Sequence, residues 1–298
     1  MGRKQVKLKK ILQYEIFLIP AFATFTLFTI IPLVKTIAYS VTDFNGVNKD
    51  YQFVGLRNYI SVFQDEMMRH ALFNTLFYTL CTMLLINLIA IPLAVLLDKN
   101  TKIKAVERAV FFFPSVVSAL LLGYIWGYIL SPMQSGALNA ILGNFGVKPI
   151  GWTATEWGAK IAIILVAVWT STGWHATVYL AYLQSIPGEY YEAAAIDGAS
   201  RWQQFKKITF PLLAPGMTVN TLLLLINGLK VYDLPYALSN KGGPGYSNYT
   251  ITQMIIQRGL SEKQYGTSTA LATVFIILVT IIAGIQFMTM RKREAEMS

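Results

Sequence analysis

The chain has 298 residues, of which 54% are hydrophobic and 13% are charged, about half the charged share of an average soluble domain. Its formal net charge is +10, but the basic residues stand at the ends of apolar runs. This pattern favours membrane topology and contact with anionic lipid over binding of nucleic acid. The single cysteine, Cys81, excludes a disulfide within the chain and a metal site built from cysteines.

Six apolar runs are long enough to cross a hydrocarbon core about 30 Å thick, which takes about 20 helical residues. The predicted spans comprise residues 16–34, 71–97, 109–130, 161–183, 212–230 and 265–290. A helix is required because lipid offers no partner to an unpaired peptide group. Prolines at 20, 32, 92 and 114 predict kinks or helix starts in or near these spans. The sequence therefore predicts an all-α polytopic membrane protein with six transmembrane helices, as one domain over residues 1–298.

Basic residues indicate the orientation of the chain. They precede the first span, follow the sixth, and fill the connections after the second and fourth spans: Arg3, Lys4, Lys7, Lys9, Lys10, Lys99, Lys102, Lys104, Arg108, Arg201, Lys206, Lys207, Arg291, Lys292 and Arg293. Because cytoplasmic loops carry an excess of lysine and arginine, both termini are predicted to be cytoplasmic. Lys241, Arg258 and Lys263 in the last outer connection weaken the contrast.

A polar segment, residues 186–211, separates the fourth and fifth spans. Pro187 is typical of a helix start, and Gly198 is typical of a helix end. Ser200 followed by Gln203 has the form of a capping box. The sequence therefore predicts two short cytoplasmic helices that meet at a bend. An ordinary interfacial linker between two spans is the alternative.

The same polar segment carries a long motif: Glu-Ala-Ala, three residues, Gly, nine residues, then Ile-x-Leu-Pro. The matching residues are Glu192, Ala193, Ala194, Gly198, Ile208 and Pro211, with Phe210 in place of the leucine. In this motif the chain resembles the permease subunits of binding-protein-dependent ABC importers. Further stretches typical of the carbohydrate-uptake branch are residues 53–59, Phe113-Pro114, Trp126, residues 136–139, 184–187 and 242–244. Over about residues 14–290 the chain is similar to sugar permeases of the maltose, lactose and raffinose type.

The resemblance implies a type I ABC importer permease fold, in which the polar segment holds a coupling helix that seats in a groove of a cytosolic ATPase. It implies that coupling depends on Glu192, Ala193, Ala194, Asp197 and Gly198. ATP binding would close the ATPase pair and switch the permease pair between two states as rigid bodies.

The implied partners are two cytosolic ATPase subunits, an extracytoplasmic solute-binding protein, membrane lipid and a second permease, which is either a similar chain or a copy of this one. The implied location is the cytoplasmic membrane of a bacterium or archaeon. ATP and Mg would be bound by the ATPase subunits, because the chain has no Gly-x-x-x-x-Gly-Lys-Ser/Thr loop. No cofactor of its own is therefore expected.

An intramembrane enzyme and a stand-alone carrier or channel are the alternatives from other functional classes. The sequence has no His-x-x-x-His, no Gly-x-Ser-x-Gly and no pair of in-span carboxylates, so no catalytic and no metal-binding residues are expected. A secondary carrier or channel would usually carry in-span ion-coupling acids and inverted repeats, and neither is evident in the sequence.

Polar and aromatic residues in the fourth and fifth spans predict a solute path, because polar groups inside a membrane are costly and often functional. The path residues are Trp169, Thr170, Ser171, Trp174, Asn227, Leu229, Lys230, Tyr232 and Asp233, of which Leu229 follows from the resemblance alone. Aromatic rings beside hydroxyl and amide groups suit a di- or oligosaccharide. A glycerol-phosphate-like solute is the alternative for the cargo. For the side chains, the alternative is an interfacial belt or bonding between helices.

Four further polar sites in the spans have structural interpretations. Lys230 and Asp233 are predicted to share a helix face and neutralise each other. His175 is predicted to be packed or hydrogen-bonded and not a proton relay. Asn74 and Asn87 are predicted to form hydrogen bonds between helices.

Overall fold

The computed structural model describes residues 18–48, 50–98, 103–243 and 246–297, the last five of these by backbone alone. Several residues cited above lie outside the described residues or side chains: residues 16 and 17 of the first predicted span, Arg3, Lys4, Lys7, Lys9, Lys10, Lys99, Lys102, Pro244 and the side chain of Arg293. The described residues are mostly helical and contain no strand, and Thr42 and Phe53 form an isolated antiparallel bridge.

Thirteen helices are numbered here in chain order. They are Leu18–Tyr39 (α1), Arg57–Gln64 (α2), Glu66–Leu97 (α3), Lys104–Val116 (α4), Ala119–Ile129 (α5), Ala137–Gly143 (α6), Glu156–Leu183 (α7), Glu189–Ile196 (α8), Arg201–Leu212 (α9), Ala214–Leu229 (α10), Asp233–Leu238 (α11), Ile251–Ile256 (α12) and Tyr265–Met297 (α13). A π-helical turn, Gln257–Ser261, extends α12.

Four of these helices, α1, α3, α7 and α13, are each long and apolar enough to cross a membrane. Two bent pairs pass the same test together: α4 with α5, at 91°, and α9 with α10, at 64°. Within the described residues, length and composition therefore give four candidate spans, or up to six if each bent pair is one span. The predicted all-α polytopic fold is confirmed.

The third predicted span, residues 109–130, is not one straight helix. Pro114 lies in the 3-10 turn that ends α4 at Val116. The two residues after that turn, Val117 and Ser118, are extended. Because proline has no N–H to continue the helical ladder, the chain turns sharply here. The following helix, α5, has 11 residues and is only about 16 Å long, so it does not cross a bilayer alone.

Two prolines inside helices follow a widened, π-helical turn. The π-helical turn Thr26–Ile30 stands just before Pro32 in α1, and Phe205–Thr209 stands just before Pro211 in α9. A proline ring clashes with the carbonyl four residues earlier, and a wider turn relieves that clash. The helix continues through the turn in both places.

Contacts group the chain into two compact units, one within residues 18–65 and 255–276, the other within residues 66–254 and 277–297. In the first unit, the buried Asn58 amide donates to the carbonyls of Ser40 (2.9 Å) and Thr42 (2.7 Å). The Gly266 amide donates to Phe44 O at 2.9 Å. Residues 53–59 thus hold the chain after α1 in place. The prediction of a single domain stays a prediction.

In the second unit the hydrophobic core lies among α3, α7 and α10. Its large buried side chains include Tyr78, Ile86, Ile163, Tyr179 and Leu224. Small residues let helix backbones approach closely at the edges of this core. A Cβ on Gly173 of α7 would collide with the backbone of Phe111 in α4, and one on Gly123 of α5 would lie 2.6 Å from Cβ of Ala237 in α11.

Candidate functional site: the polar segment and the solute path

The polar segment forms two short helices with a bend between them, as predicted. After Pro187, α8 begins at Glu189 and ends at Ile196. Gly198 has φ +74°, a left-handed conformation that glycine adopts without strain. Its N–H donates to Ala195 O (3.1 Å), and the next N–H, of Ala199, donates to Ala194 O (2.9 Å). This pair of bonds is a Schellman motif, so the bend has a defined geometry.

The second arm of the bend is also fixed by local bonds. The capping box predicted at Ser200 and Gln203 is confirmed: Gln203 N donates to Ser200 Oγ (3.3 Å), and Ser200 N donates to Gln203 Oε1 (2.7 Å). Phe205 packs against the core of the second unit. Tyr191 of α8 and the buried Thr209 share a hydroxyl–hydroxyl hydrogen bond of 3.0 Å. The polar segment, residues 186–211, is therefore a braced elbow: its two arms, α8 and α9, are held at a fixed bend by hydrogen bonds.

The residues assigned to coupling lie on the surface of this elbow. Glu192, Ala193, Asp197 and Gly198 are exposed, and Ala194 is half-buried. Sequence reasoning missed two exposed apolar side chains beside them, Ile196 (87% exposed) and Trp202 (69% exposed). A tryptophan and an isoleucine in an otherwise polar connection were the available signal. Large apolar side chains that stand in water are typical of a surface that another protein covers.

The solute-path residues of α7 present a mixed aromatic and hydroxyl surface. Trp169 and Trp174 are exposed, and Thr170 and Ser171 are half-buried. The Thr170 hydroxyl donates to Val166 O of its own helix at 2.7 Å. Trp126 of α5 meets Trp169 edge to face, with ring centroids 5.6 Å apart.

The remaining path residues surround the end of α10, which stops at Leu229. Asn227 is exposed, whereas Leu229 is fully buried and has no surface to offer a solute in this conformation. The Tyr232 ring stacks on Tyr236 at 5.2 Å. Burial, with Tyr236 and Asp233 close by, raises the pKa of the Tyr232 hydroxyl, which therefore stays a neutral donor at physiological pH.

The prediction that Lys230 and Asp233 share a helix face is wrong. Lys230 caps the end of α10, and Asp233 is the first residue of α11. Because the helix breaks between them, the spacing of three no longer places the two side chains on one face. Among the described ion pairs none joins these two residues.

One short helix, α5, contacts both α7 and α11 and so connects the two groups of path residues. Trp126 contacts α7, and Gly123 packs on α11. Two exposed tyrosines of α5, Tyr124 and Tyr128, were missed from the sequence. The alternation of aromatic residues at 124, 126 and 128 was the signal for them.

Among the buried polar groups, Asn87 and His175 confirm their predicted roles, whereas the prediction for Asn74 is wrong because this residue bonds a connection and not another helix. Nδ2 of Asn74 donates to Ser247 O (2.7 Å) and Tyr249 O (3.0 Å), carbonyls of the connection before α12. Nδ2 of Asn87 donates to Thr221 of α10. His175 is buried and hydrogen-bonded to Asn220.

A charged residue that the sequence reading missed lies at the start of α7. Lys160 is buried and pairs with Glu156, one turn earlier, at 2.5 Å. Its ammonium stands 5.0 Å from the ring centre of Trp157. The lysine lies just before the predicted fourth span, so the rule that polar residues inside spans are often functional does not apply to it. Within the described residues no group of three or more His, Cys, Asp or Glu side chains could hold a metal ion.

Comparison with known proteins gives the family. The model of the family described as "Binding-protein-dependent transport system inner membrane component" matches residues 86–293. The probable starch degradation products transport system permease protein AmyD of Thermoanaerobacterium thermosulfurigenes is 30% identical over 298 residues, covering 100% of both chains. The trehalose/maltose transport system permease protein MalF of Thermococcus litoralis is 31% identical, over 88% of each chain.

Solved structures agree on the fold. A bacterial ABC transporter involved in the import of the acidic polysaccharide alginate has a chain that matches with a TM-score of 0.83 at 22% identity, covering 98% of this chain and 99% of that chain. An inward-facing methionine ABC transporter, MetNI, matches with a TM-score of 0.56 at 18% identity, covering 76% and 96%. The chain belongs to the family of inner-membrane components of binding-protein-dependent transport systems.

Proposed function

We propose that the chain is the permease subunit of an ATP-driven importer and forms half of a translocation pathway for a di- or oligosaccharide. The observation that carries the proposal is the braced elbow of the polar segment. It stands between α7 and α10, buries no residue of α8, and is bent at Gly198. A surface of this kind is suited to receive force from a partner protein.

The elbow's chemistry suggests how it would couple to an ATPase subunit. Ala193 and Ala194 have no bulk beyond Cβ, so a partner can approach the α8 backbone closely. Ile196 and Trp202 would add apolar contact, and Glu192 and Asp197 would add polar contact. Because the Schellman motif and the Tyr191–Thr209 bond fix the bend, a push on α8 would move the adjoining helices instead of deforming the loop.

The subunit composition follows from what the chain would need. Two cytosolic ATPase subunits would bind ATP and Mg, since the sequence offers no phosphate-binding loop. A second permease, similar or identical, would complete the pathway, and an extracytoplasmic binding protein would deliver the solute. In support, a solved alginate ABC transporter with the same fold is described in complex with an alginate pentasaccharide-bound periplasmic protein.

The proposed location is the cytoplasmic membrane of a bacterium or archaeon, with both termini in the cytoplasm. The support is the charge pattern. Described basic residues at the start of α4 and in the polar segment are Lys104, Arg108, Arg201, Lys206 and Lys207. The polar segment would then face the cytosol, where ATP is available.

The solute class is proposed from the path surface and from the relatives. Named relatives transport starch degradation products, trehalose or maltose, and arabinooligosaccharides, the last in Bacillus subtilis. The proposed contacts are Trp169, Thr170, Ser171, Trp174, Asn227, Lys230, Tyr232 and Asp233, without the buried Leu229. Rings would stack on sugar faces, and amide and hydroxyl groups would bond sugar hydroxyls. Asp233 disfavours the alternative, a glycerol-phosphate-like solute.

Reconstitution tests the proposal. The chain would be placed in proteoliposomes with its genomic partner permease, ATPase and binding protein, and uptake of labelled malto-oligosaccharides would be followed with and without ATP. We expect uptake only with all partners and ATP. Flux through the chain alone, without ATP, would instead identify a secondary carrier or channel. ATP-dependent uptake of glycerol phosphate but not of oligosaccharides would replace the proposed solute.

A further inference from the structure

Three membrane helices of the second unit are tied by polar side chains at one level. The hydroxyl of Tyr179, in α7, donates to Oδ1 of Asn87, in α3, at 2.5 Å. Nδ2 of Asn87 donates to Oγ1 of Thr221, in α10, at 3.3 Å. One side-chain amide therefore bridges all three helices.

A second tie lies one turn away on α7. Nδ1 of His175 donates to Oδ1 of Asn220, the residue before Thr221, at 2.6 Å, and both side chains are buried. The imidazole also meets the ring of its neighbour Trp174 edge to face, with centroids 4.7 Å apart. Trp174 is one of the proposed solute contacts, so this tie adjoins the solute path.

The ties stand between the solute path and the polar segment. Along α7, Tyr179 and His175 lie about two and three helical turns before Ile186, where the polar segment begins. Along α10, Asn220 and Thr221 lie about two turns after Leu213, the break between α9 and α10. Both helices that lead out of the elbow are thus bound to α3 before they reach the path residues.

Apolar contacts alone would not have the same mechanical effect. Apolar burial has no directional preference, whereas a hydrogen bond fixes the distance and angle between one donor and one acceptor. The helix α3 has no direct chain connection to the polar segment, which joins α7 to α10. It would follow a displacement of that segment only through side-chain contacts with α7 and α10.

We propose that Asn87, Tyr179 and Thr221, with the His175–Asn220 pair, form a polar clamp that makes α3, α7 and α10 respond as one body to displacement of the polar segment. These are positioning residues: they keep solute movement tied to ATP hydrolysis. The inference rests on the proposed function. Without the clamp, the ATPase would still displace α7 and α10, but α3 would not move with them.

The test measures solute molecules moved per ATP hydrolysed, using the complete reconstituted transporter. Thr221→Val and Tyr179→Phe each delete one hydroxyl and keep the shape of the side chain. Thr221→Ser retains the hydroxyl. Thr82→Val is the matched control on α3, because the Thr82 hydroxyl donates to Tyr78 O (2.6 Å) of its own helix and ties no helix to another.

We expect Thr221→Val and Tyr179→Phe to keep ATP hydrolysis while the transport-to-ATP ratio falls about three- to tenfold, the range that hydrogen bonds between membrane helices support. Thr221→Ser and Thr82→Val should leave the ratio unchanged. If one deletion prevents co-purification with the partner subunits, the other decides the question, since each removes a different bond of the clamp.

Two results would overturn the clamp. The first is an unchanged ratio in both deletion variants. The second is a parallel fall of uptake and ATP hydrolysis that tracks a lower melting temperature, which would mean that the bonds only stabilise the fold. Failure of the proposed function looks different: the unmodified transporter would then show no ATP-dependent oligosaccharide uptake at all.

Discussion

Two polar interruptions flank the bent helix pair α9 and α10, and they are determined in different ways. The bend of the polar segment, before α9, is built from local bonds: a Schellman motif at Gly198 and a capping box at Ser200. The second interruption, residues 229–236, has no side-chain cap at the start of α11, and α11, which begins at Asp233, packs on α5. The first structure can be read from short sequence patterns, while the second depends on neighbours distant in sequence.

The largest expected effect comes from a change in the bend of the polar segment, which local bonds determine. Gly198→Pro would fix φ near −65° where the backbone needs +74°, and it would remove the N–H that bonds Ala195 O. We expect oligosaccharide uptake and solute-stimulated ATP hydrolysis to be lost while the protein still inserts. The measurement is uptake and ATPase activity in proteoliposomes.

A matched control for that change lies in the same segment. Gly188 has φ −61° and open space around it, so Gly188→Ala should transport normally. Normal uptake by Gly198→Pro would mean that the bend is not the working feature of the segment.

The next largest effect is expected at residues 229–236, the interruption that depends on contacts between residues distant in sequence. Gly123→Val would force α5 away from α11, because even a Cβ at Gly123 would lie 2.6 Å from that of Ala237. Overpacking of this kind costs about 1–3 kcal/mol. We expect a lower melting temperature in detergent. Gly127→Ala, also in α5, is the control, since its added Cβ would make only an ordinary contact of 3.5 Å. Equal melting temperatures would contradict the role of this contact.

A smaller effect is expected at the solute path. Tyr232→Phe keeps the ring that stacks on Tyr236 and removes the neutral hydroxyl donor. Loss of one hydrogen bond to a sugar should raise the KM for uptake about two- to tenfold, with kcat little changed. Leu229→Met, a volume-conserving change at a buried site, should leave KM unaltered. The reverse pattern would restore Leu229 to the path and remove Tyr232 from it.

The smallest effect concerns the capping box. Ser200→Ala removes the acceptor of the Gln203 amide proton and should cost about 0.5–2 kcal/mol of local stability. Hydrogen exchange of the Arg201–Gln203 amides should become faster, with uptake nearly unchanged. Ser200→Asp keeps a capping acceptor and should exchange slowly. Fast exchange in both variants would show that the cap does not hold the second arm.

Features with a short sequence signal were predictable. Hydrophobic runs located α3, α7 and α13, and Gly198 and Ser200 located the bend of the polar segment. The break of the third span at Val117 and Ser118 was not predicted, because Pro114 indicates a disturbance but not a turn of 91°.

The features of the candidate site that the sequence did not predict share one physical cause. Lys230 and Asp233 have the spacing of helix neighbours, and only the end of α10 at Leu229 separates them. The burial of Leu229 and the partners of His175 and Asn87 depend on which helices pack together. Hydrophobic periodicity identifies which face of a helix is apolar, but it does not say which other helix that face contacts.

One measurement tests the central claim, that the elbow of the polar segment docks on a nucleotide-driven subunit. Cys81 is the chain's only cysteine, so Ala193→Cys in a Cys81→Ala background gives a single attachment point for a photo-crosslinker on the exposed face of α8. In membranes containing the whole transporter, we expect crosslinks to the ATPase subunit, with a yield that changes on addition of ATP. Crosslinks to lipid alone, in every nucleotide state, would contradict the account.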